Sequence, residues 1–326
     1  MVAPSAPGKV TGRAPAIKLW LTTATTSLGN HSDRLNAINI FPVPDGDTGT
    51  NLYSTVAAAA AALQDENHDD LGAYLSVAAT AAMENARGNS GTLVAVILAA
   101  LAESLEGVDR LTAQTLALAL DRATVKAWAA LSEPVAGTML SVLDSTATTV
   151  RSVAAGLDES GQSLKIALED MVSAAVEAVR ETESQLQALQ AAHVVDSGGV
   201  GLLLLLDALR AAVLGEELDP DLLAGLSGYN VDHPHIHQVG DPVEGYEVMC
   251  SIDLSALDAA TLRYELDRAG DSVIMSAVKT LDEEAQLYRW RVHVHVADKE
   301  LALAAIDKVG TAENLIISDL CTHESA

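Results

Sequence analysis

Residues 39–51 read NIFPVPDGDTGTN, a stiff acidic stretch inside a chain patterned mostly as alanine- and leucine-rich helix. Pro42 and Pro44 fix φ, while Gly46 and Gly49 permit φ > 0, so the segment is a shaped loop that feeds a helix. Asp45 and Asp47 stand two positions apart and can converge on one point. Two close carboxylates repel each other unless a cation lies between them. Mg²⁺ fits that role, since it binds through one or two carboxylates and bridges substrate phosphates. The plainer alternative is an acidic turn in which Asp47 or Thr48 caps the next helix. Asn39, upstream, either adds a neutral oxygen ligand or C-caps the preceding helix. Thr48, Gly49 and Asn51 lie where the loop meets the helix, facing whatever the metal holds.

Outward from this loop, the 3.6-residue apolar period and the cap signals predict eight helices before residue 216, near 16–37, 50–65, 69–86, 90–105, 111–131, 137–155, 161–190 and 199–214. Short connections make neighbouring helices antiparallel, so alternate helices begin at the same end. The four even-numbered helices follow PDGDTGT, ARGNSGT, PVAGTML and VVDSGGVG, whereas the odd ones follow plainer polar linkers. Loops rich in Gly and hydroxyls before helix N-termini present N–H groups and the positive dipole end to phosphate. One such loop is a cap; four at one end form an anion site.

Within these loops, Ser90 and Gly91 offer a hydroxyl and backbone N–H groups, although Ser before a helix is commonly only a cap. Arg87 either reaches a phosphate or pairs with a local carboxylate. Thr138 and Met139 offer a hydroxyl beside a soft apolar cover for a flat base, with Met as core the ordinary alternative. Asp196 lies at the fourth loop, where capping its own helix is the simpler role. No nucleophile elbow, Cys–His pair, linear Walker loop or HExxH pattern is present.

Residues 216–244, rich in charge, Pro and Gly, read as a linker. The remainder reads strand (245–254), helix (258–269), strand (272–280), strand (286–296), helix (298–309), strand (313–320), the order of a ferredoxin-like split βαβ unit. The expected architecture is therefore multidomain: an all-α antiparallel array over 1–215, a linker, and a smaller α+β domain over 245–326. In VHVHV, His293 and His295 share one strand face and can bind Zn²⁺ if a neighbouring strand adds a ligand. Glu247 and Cys250 are the candidates, and their opposite parity allows only one. Ordinary hydrogen-bonded strand histidines are the alternative. His233, His235 and His237 receive no role.

Lys and Arg number 19 against 45 Asp and Glu, a formal net charge of −26. That balance argues against nucleic acid and anionic membrane surfaces, and an anionic ligand then needs local cations or helix ends. Cys250 and Cys321 supply no disulfide framework, which suits a reducing cytoplasm. The first ten residues lack a signal-peptide core, and the apolar run TLVAVILAALA is too short to span a bilayer.

The motifs LNAINIFPVPDGDTGTNL, ARGNSGTLVA, GTMLSVL and DSGGVGLL, in that order over residues 15–215, resemble the nucleotide-binding domain of dihydroxyacetone-kinase L-type proteins. They are most similar to the catalytic subunits of bacterial fatty-acid kinases, whose middle domain EGYEV and WRVHVHV also resemble. The resemblance implies an eight-helix antiparallel barrel that binds ATP and two Mg²⁺ at one rim. Asp45 and Asp47 would hold the metal at the catalytic centre, with Asn39 where related kinases carry another aspartate. Ser90, Gly91, Thr138 and Met139 would line the nucleotide. The middle domain implies a zinc-like site of Cys and two His; here His293 and His295 fit, and Glu247 stands at the Cys position. The implied activity is ATP-dependent phosphorylation of the carboxylate of a fatty acid delivered by a DegV-like fatty-acid-binding carrier protein, with a homodimer allowed. The family continues into a third domain linked to that carrier, whereas this sequence stops after the second. Alternative expectations are a catalytically silent ATP- or ADP-sensing module and a dihydroxyacetone-type kinase subunit.

Overall fold

A computed structural model describes residues 12–66, 68–229 and 245–320. The later part of the expected linker, with His233, His235 and His237, and the terminal stretch containing Cys321 lie outside the described residues.

Long helices fill the first two-thirds of the chain: α1 (Ala14–Ala37), α2 (Thr48–Ala62), α3 (Leu71–Asn85), α4 (Gly88–Ser104), α5 (Ala113–Ala130), α6 (Met139–Ala154), α7 (Gly161–Gln185) and α9 (Ser197–Leu214), with a short α8 (Gln187–Ala192) before the last. Each long helix packs on the next, and α9 closes on α1. Small residues let the axes approach: a Cβ on Gly201 would collide with a Leu52 methyl. Trp20 on α1, only 2% exposed, donates its indole N–H to the Leu205 carbonyl of α9 at 2.8 Å. Each fully buried Leu in this interior contributes roughly 1.5–3 kcal/mol.

One expectation needs correction. The helix expected over 161–190 breaks at Leu186, whose backbone is extended, and α8 turns away from α7. No Pro or Gly marks the break. It delivers the next segment to α7, where the Thr182 hydroxyl accepts the Asp196 N–H at 2.9 Å. The TLVAVILAALA run lies in α4, which is too short to span a bilayer, whereas α9 is long enough, with 18 residues and mean hydropathy 1.7. It is 94% buried within the helical unit. Its one acid, Asp207, is satisfied by Arg210 at 2.7 Å and by the Asp219 N–H at 3.0 Å.

The segment after α9 stays with the helices as far as it is described. Leu222, Leu223, Leu226 and Tyr229 enter the helical core, and the Tyr229 hydroxyl meets Nδ1 of His31 at 2.6 Å.

The second unit runs β1 (Tyr246–Ser255), α10 (Ala256–Ala269), β2 (Gly270–Asp282), β3 (Leu287–Val296), α11 (Lys299–Val309), β4 (Glu313–Asp319). Its sheet is antiparallel in the order β2-β3-β1-β4. Strand alternation divides the side chains. Val248, Cys250, Ile252, Val292, Val294 and Val296 face the core shared with α10 and α11. Glu247, Arg291, His293 and His295 take the other face, turned toward the helical unit. The two units are joined there. Ile274 bridges Leu131, the Ser132 N–H reaches the Val273 carbonyl at 3.1 Å, and Arg263 donates to the carbonyls of Ala129 and Ala130.

Candidate active site

The N-termini of α2, α4, α6 and α9 open into one cavity of about 340 Å³, lined by Thr48, by Gly88 to Ser90, by Thr138 and Met139, and by Ser197 and Gly198. The parity read from the loops is therefore realised in space, with α9 as the eighth long helix. The sheet closes one side with Asp271, Ser272 and His295, and Phe41, Leu93, Leu131 and Val135 add apolar surface.

Local structure explains why these helix ends remain available. Asp47 sits at the N-cap of α2 but makes no capping bond. Asn36, at the end of α1, caps α2 instead, its Oδ1 accepting from the N–H groups of Gly49 and Thr50 at 2.7 and 3.1 Å. Neither Asp47 nor Thr48 is spent as a cap. In α4 the N-cap residue Arg87 likewise makes no capping bond, and the Glu247 carboxylate accepts from the Gly88 N–H instead. The helix begins at Gly88, held at φ +60°, and a Cβ there would collide with the Asn51 amide nitrogen. Only glycine lets α4 start so close to α2.

Asp45 and Asp47 do converge. Burial, then the charge of Asp47, lifts the Asp45 carboxyl to about 8. Asp47 is raised as well, chiefly by burial, against hydrogen bonds from Asp45 and Asn51. Such a pair shares a proton or holds a cation, so the donor chemistry fits Mg²⁺. Asn39 enters through its amide nitrogen, which donates to Asp45 at 2.5 Å. In this orientation it steadies Asp45.

Asp196 has two jobs. Its carboxylate caps α9 through the Gly199 N–H at 2.7 Å, and it also accepts from the Met139 N–H at the start of α6. Burial lifts it to about 7 against those bonds. It thereby ties two of the cavity's helix ends together. Thr138 donates its hydroxyl to the Val135 carbonyl at 2.8 Å.

Not every expected residue lines the cavity. Gly49, Asn51 and Gly91 lie behind its wall: Gly49 admits the Ser32 backbone, Gly91 the Thr55 hydroxyl, and Asn51 supports Asp47. Arg87 lies outside it too. Asn89, Ser197 and Gly198 line it although the sequence motifs did not single them out; all three sit inside the same loops. The Asn89 Oδ1 is buried without a hydrogen-bond partner.

The sheet brings a second cluster to this rim. The ligand atoms of Glu247, His293 and His295 all lie within 4.8 Å of one another. His293 directs Nε2 at Glu247 (2.9 Å) and Nδ1 at the Ser272 carbonyl (3.1 Å). Both ring nitrogens thus face oxygen acceptors. Burial works to raise the Glu247 carboxyl, but the hydrogen bond and charge of His293 prevail and hold it low. His295 is pushed down to about 3 by burial and then by the charge of His293, and its buried Nδ1 makes no hydrogen bond, the Asp271 carboxylate standing 3.8 Å away. An orphan imidazole nitrogen beside a second imidazole and a carboxylate fits Zn²⁺. Cys250 is excluded. It lies on the opposite strand face, in the core under the helices, where burial lifts its thiol to about 11. The charge of Glu247 also raises both Asp45 and Asp47, so the two clusters are electrostatic neighbours.

The sequence model of the DAK2 domain matches residues 42–211, and that of the FakA-like fatty acid kinase middle domain matches residues 243–325. Among curated proteins, "Protein YloV" of Bacillus subtilis is 28% identical over 282 residues, covering 83% of this chain and 49% of that protein. An uncharacterized protein of Staphylococcus epidermidis is 27% identical over 277 residues, covering 82% and 48%. The chain thus spans about half the length of the curated relatives it matches. A solved structure of dihydroxyacetone kinase from C. freundii, in complex with AMP-PNP and Mg²⁺, is 20% identical with a TM-score of 0.46, covering 64% of this chain and 36% of that one.

Proposed function

The chain belongs to the DAK2-domain family, and from that premise we propose that it binds ATP with Mg²⁺ in the shared cavity and transfers the γ-phosphoryl group to a carboxylate. The acceptor would be a fatty acid presented by a separate DegV-like carrier protein. A carboxylate oxygen attacks the γ-phosphorus, the bond to the β-phosphate oxygen breaks, and acyl phosphate and ADP result. In this reading the ring of long helices is the family's eight-helix barrel, the sheet unit is a ferredoxin-like domain, and 1–215 and 245–326 are the two domains.

One observation carries the proposal. Among the described residues, the cavity combines four helix N-termini with Asp45 and Asp47 and contains no Lys or Arg. Phosphates are then met by N–H groups and by a cation held on the carboxylates. When bound, Mg²⁺ neutralises charge on the transferring group. Asp45 and Asp47 would hold it, Asn39 and Asn51 would fix those carboxylates, and Ser90 and Gly198 would present N–H groups to the phosphates. Thr138 and Met139 would border the base.

A carboxylate acceptor has no proton to lose and needs no general base, unlike an alcohol such as dihydroxyacetone. The match to the fatty acid kinase middle domain supports a fatty acid as that acceptor. Glu247, His293 and His295 would hold Zn²⁺ beside the rim and so fix the sheet against it.

The test is ATP turnover with acyl-loaded carrier, free fatty acid and dihydroxyacetone as separate acceptors. Strong stimulation by loaded carrier alone is expected. Tight Mg·ATP binding without transfer to any of the three would establish the nucleotide-sensing module instead.

A further inference from the structure

Behind the loop that starts α4, away from the cavity just described, lies a second, polar cavity of about 220 Å³. It is lined by Ser54, Glu84, Asn85, Arg87, Arg291 and Ile316. A single water needs only ~10–15 Å³, so a polyatomic ligand has room.

Arg291 is the unusual member. It is 2% exposed, yet no carboxylate of the described residues pairs with it. It donates to the Ala86 carbonyl at 3.3 Å and contacts the Ser251 hydroxyl at 3.5 Å, while its Nε is buried with no partner at all. A second guanidinium, that of Arg87, lines the same space, again with no ion pair among the described residues. Burial disfavours the charged form of Arg291, against the influence of Cys250 and Glu247, and the charge of Arg87 adds to that penalty. A buried cation is ordinarily paired, and removing its partner is strongly destabilising. In a chain of net charge −26 with acids in excess everywhere, two unpaired arginines meeting in a cavity are out of pattern.

We propose that this cavity is a binding site for a tetrahedral dianionic oxyanion of the phosphate class, held by Arg87 and Arg291 with Asn85 and Ser54 as neutral hydrogen-bond partners. Guanidinium forks match such oxyanions bidentately, and a free Nε is the donor a second phosphate oxygen would take. The site shares the Ala86–Gly88 loop with the first cavity, so bound anion would brace the loop that carries Asn89 and Ser90. Glu84 is the one group that opposes it. Its carboxylate borders the cavity without bonding either arginine.

The experiment is isothermal titration of inorganic phosphate into the full chain in low-chloride buffer, with acetate as the comparison anion. Arg87 is exposed, so Arg87→Met should fold normally. It should weaken phosphate by about tenfold or more, as expected for loss of a charged hydrogen-bond donor. Glu84→Gln should tighten it. Neither residue lines the helix-end cavity, so phosphate bound there would respond to neither change. Equal phosphate affinity in wild type and Arg87→Met would overturn the proposal. So would acetate binding as tightly as phosphate, or weaker phosphate binding in Glu84→Gln.

Discussion

Replacing Asp45 by Asn should stabilise the metal-free protein at alkaline pH and not at acid pH. The carboxyl is lifted from 3.8 to about 8, mainly because it is buried and then because Asp47 repels it. The native chain therefore keeps a proton that the unfolded chain has lost across roughly pH 4–8. Stability falls as pH rises through that window and levels off above it. At ~1.36 kcal/mol per pH unit, the full effect on the charged form approaches about 5–6 kcal/mol. Asparagine removes the charge and keeps an oxygen to accept from the Asn39 amide, but replaces the second carboxylate oxygen by an NH₂, so we expect a net gain of about 2 kcal/mol at pH 9. For a chain of this size that is a rise of about 3 °C in Tm. At pH 5 the wild-type carboxyl is already protonated, and the two proteins should melt within about 1 °C of each other. The assay is thermal unfolding in a chelator at both pH values, with Mg·ATP binding measured on the same samples and lost in the variant. No gain at pH 9, or the same gain at pH 5, would refute the electrostatic account of the pair.

Three further substitutions probe the supports of the site. Gly88→Ala places a methyl against the Asn51 amide at a residue with φ +60°, and should cost about 1–3 kcal/mol with weakened nucleotide binding, read by thermal melts and titration. Asn36→Ala removes the cap that α2 borrows from α1 and should cost about 1 kcal/mol in the same melts, with nucleotide affinity changed less than by Gly88→Ala. Protein purified without added metal should contain near-stoichiometric zinc by elemental analysis, lost in His293→Ala; wild type without zinc would leave Glu247 and His293 as a simple hydrogen-bonded ion pair.

The gathering of even-numbered helices at one rim was legible because it needs only a periodicity and the composition of four loops. The facing of His293 with Glu247, and the removal of Cys250 to the opposite face, follow from strand parity, although the choice between Glu247 and Cys250 required the register Glu247↔His295 and Met249↔His293. What stayed hidden depends on docking between distant segments. Asn36 caps α2 only because the end of α1 meets it. Leu186 breaks a helix with no local signal, since the break is set by Thr182 holding Asp196. Asp271 and Ser272 join the cavity only when β2 reaches Leu131, which is far away along the chain. The Arg291 to Ala86 bond is of the same kind, and a strand arginine beside VHVHV gives no hint of it.

The charge of the chain bears directly on how its cavity can work. The excess of acids demands local cations or helix ends to hold an anion, and the cavity has the helix ends alone. Four termini at about half an elementary charge each supply roughly +2. Asp45, Asp47, Glu133, Asp196 and Asp271 border the same space and oppose that field. Asp45 and Asp196, lifted to about 8 and about 7, blunt the opposition by holding protons when nothing else is present. A triphosphate brings further negative charge and cannot be balanced by N–H groups alone. In the proposed function, a divalent cation held by Asp45 and Asp47 in place of their proton would complete the balance. Metal and nucleotide would then depend on each other for binding, which would put the two aspartates at the centre of the proposed site.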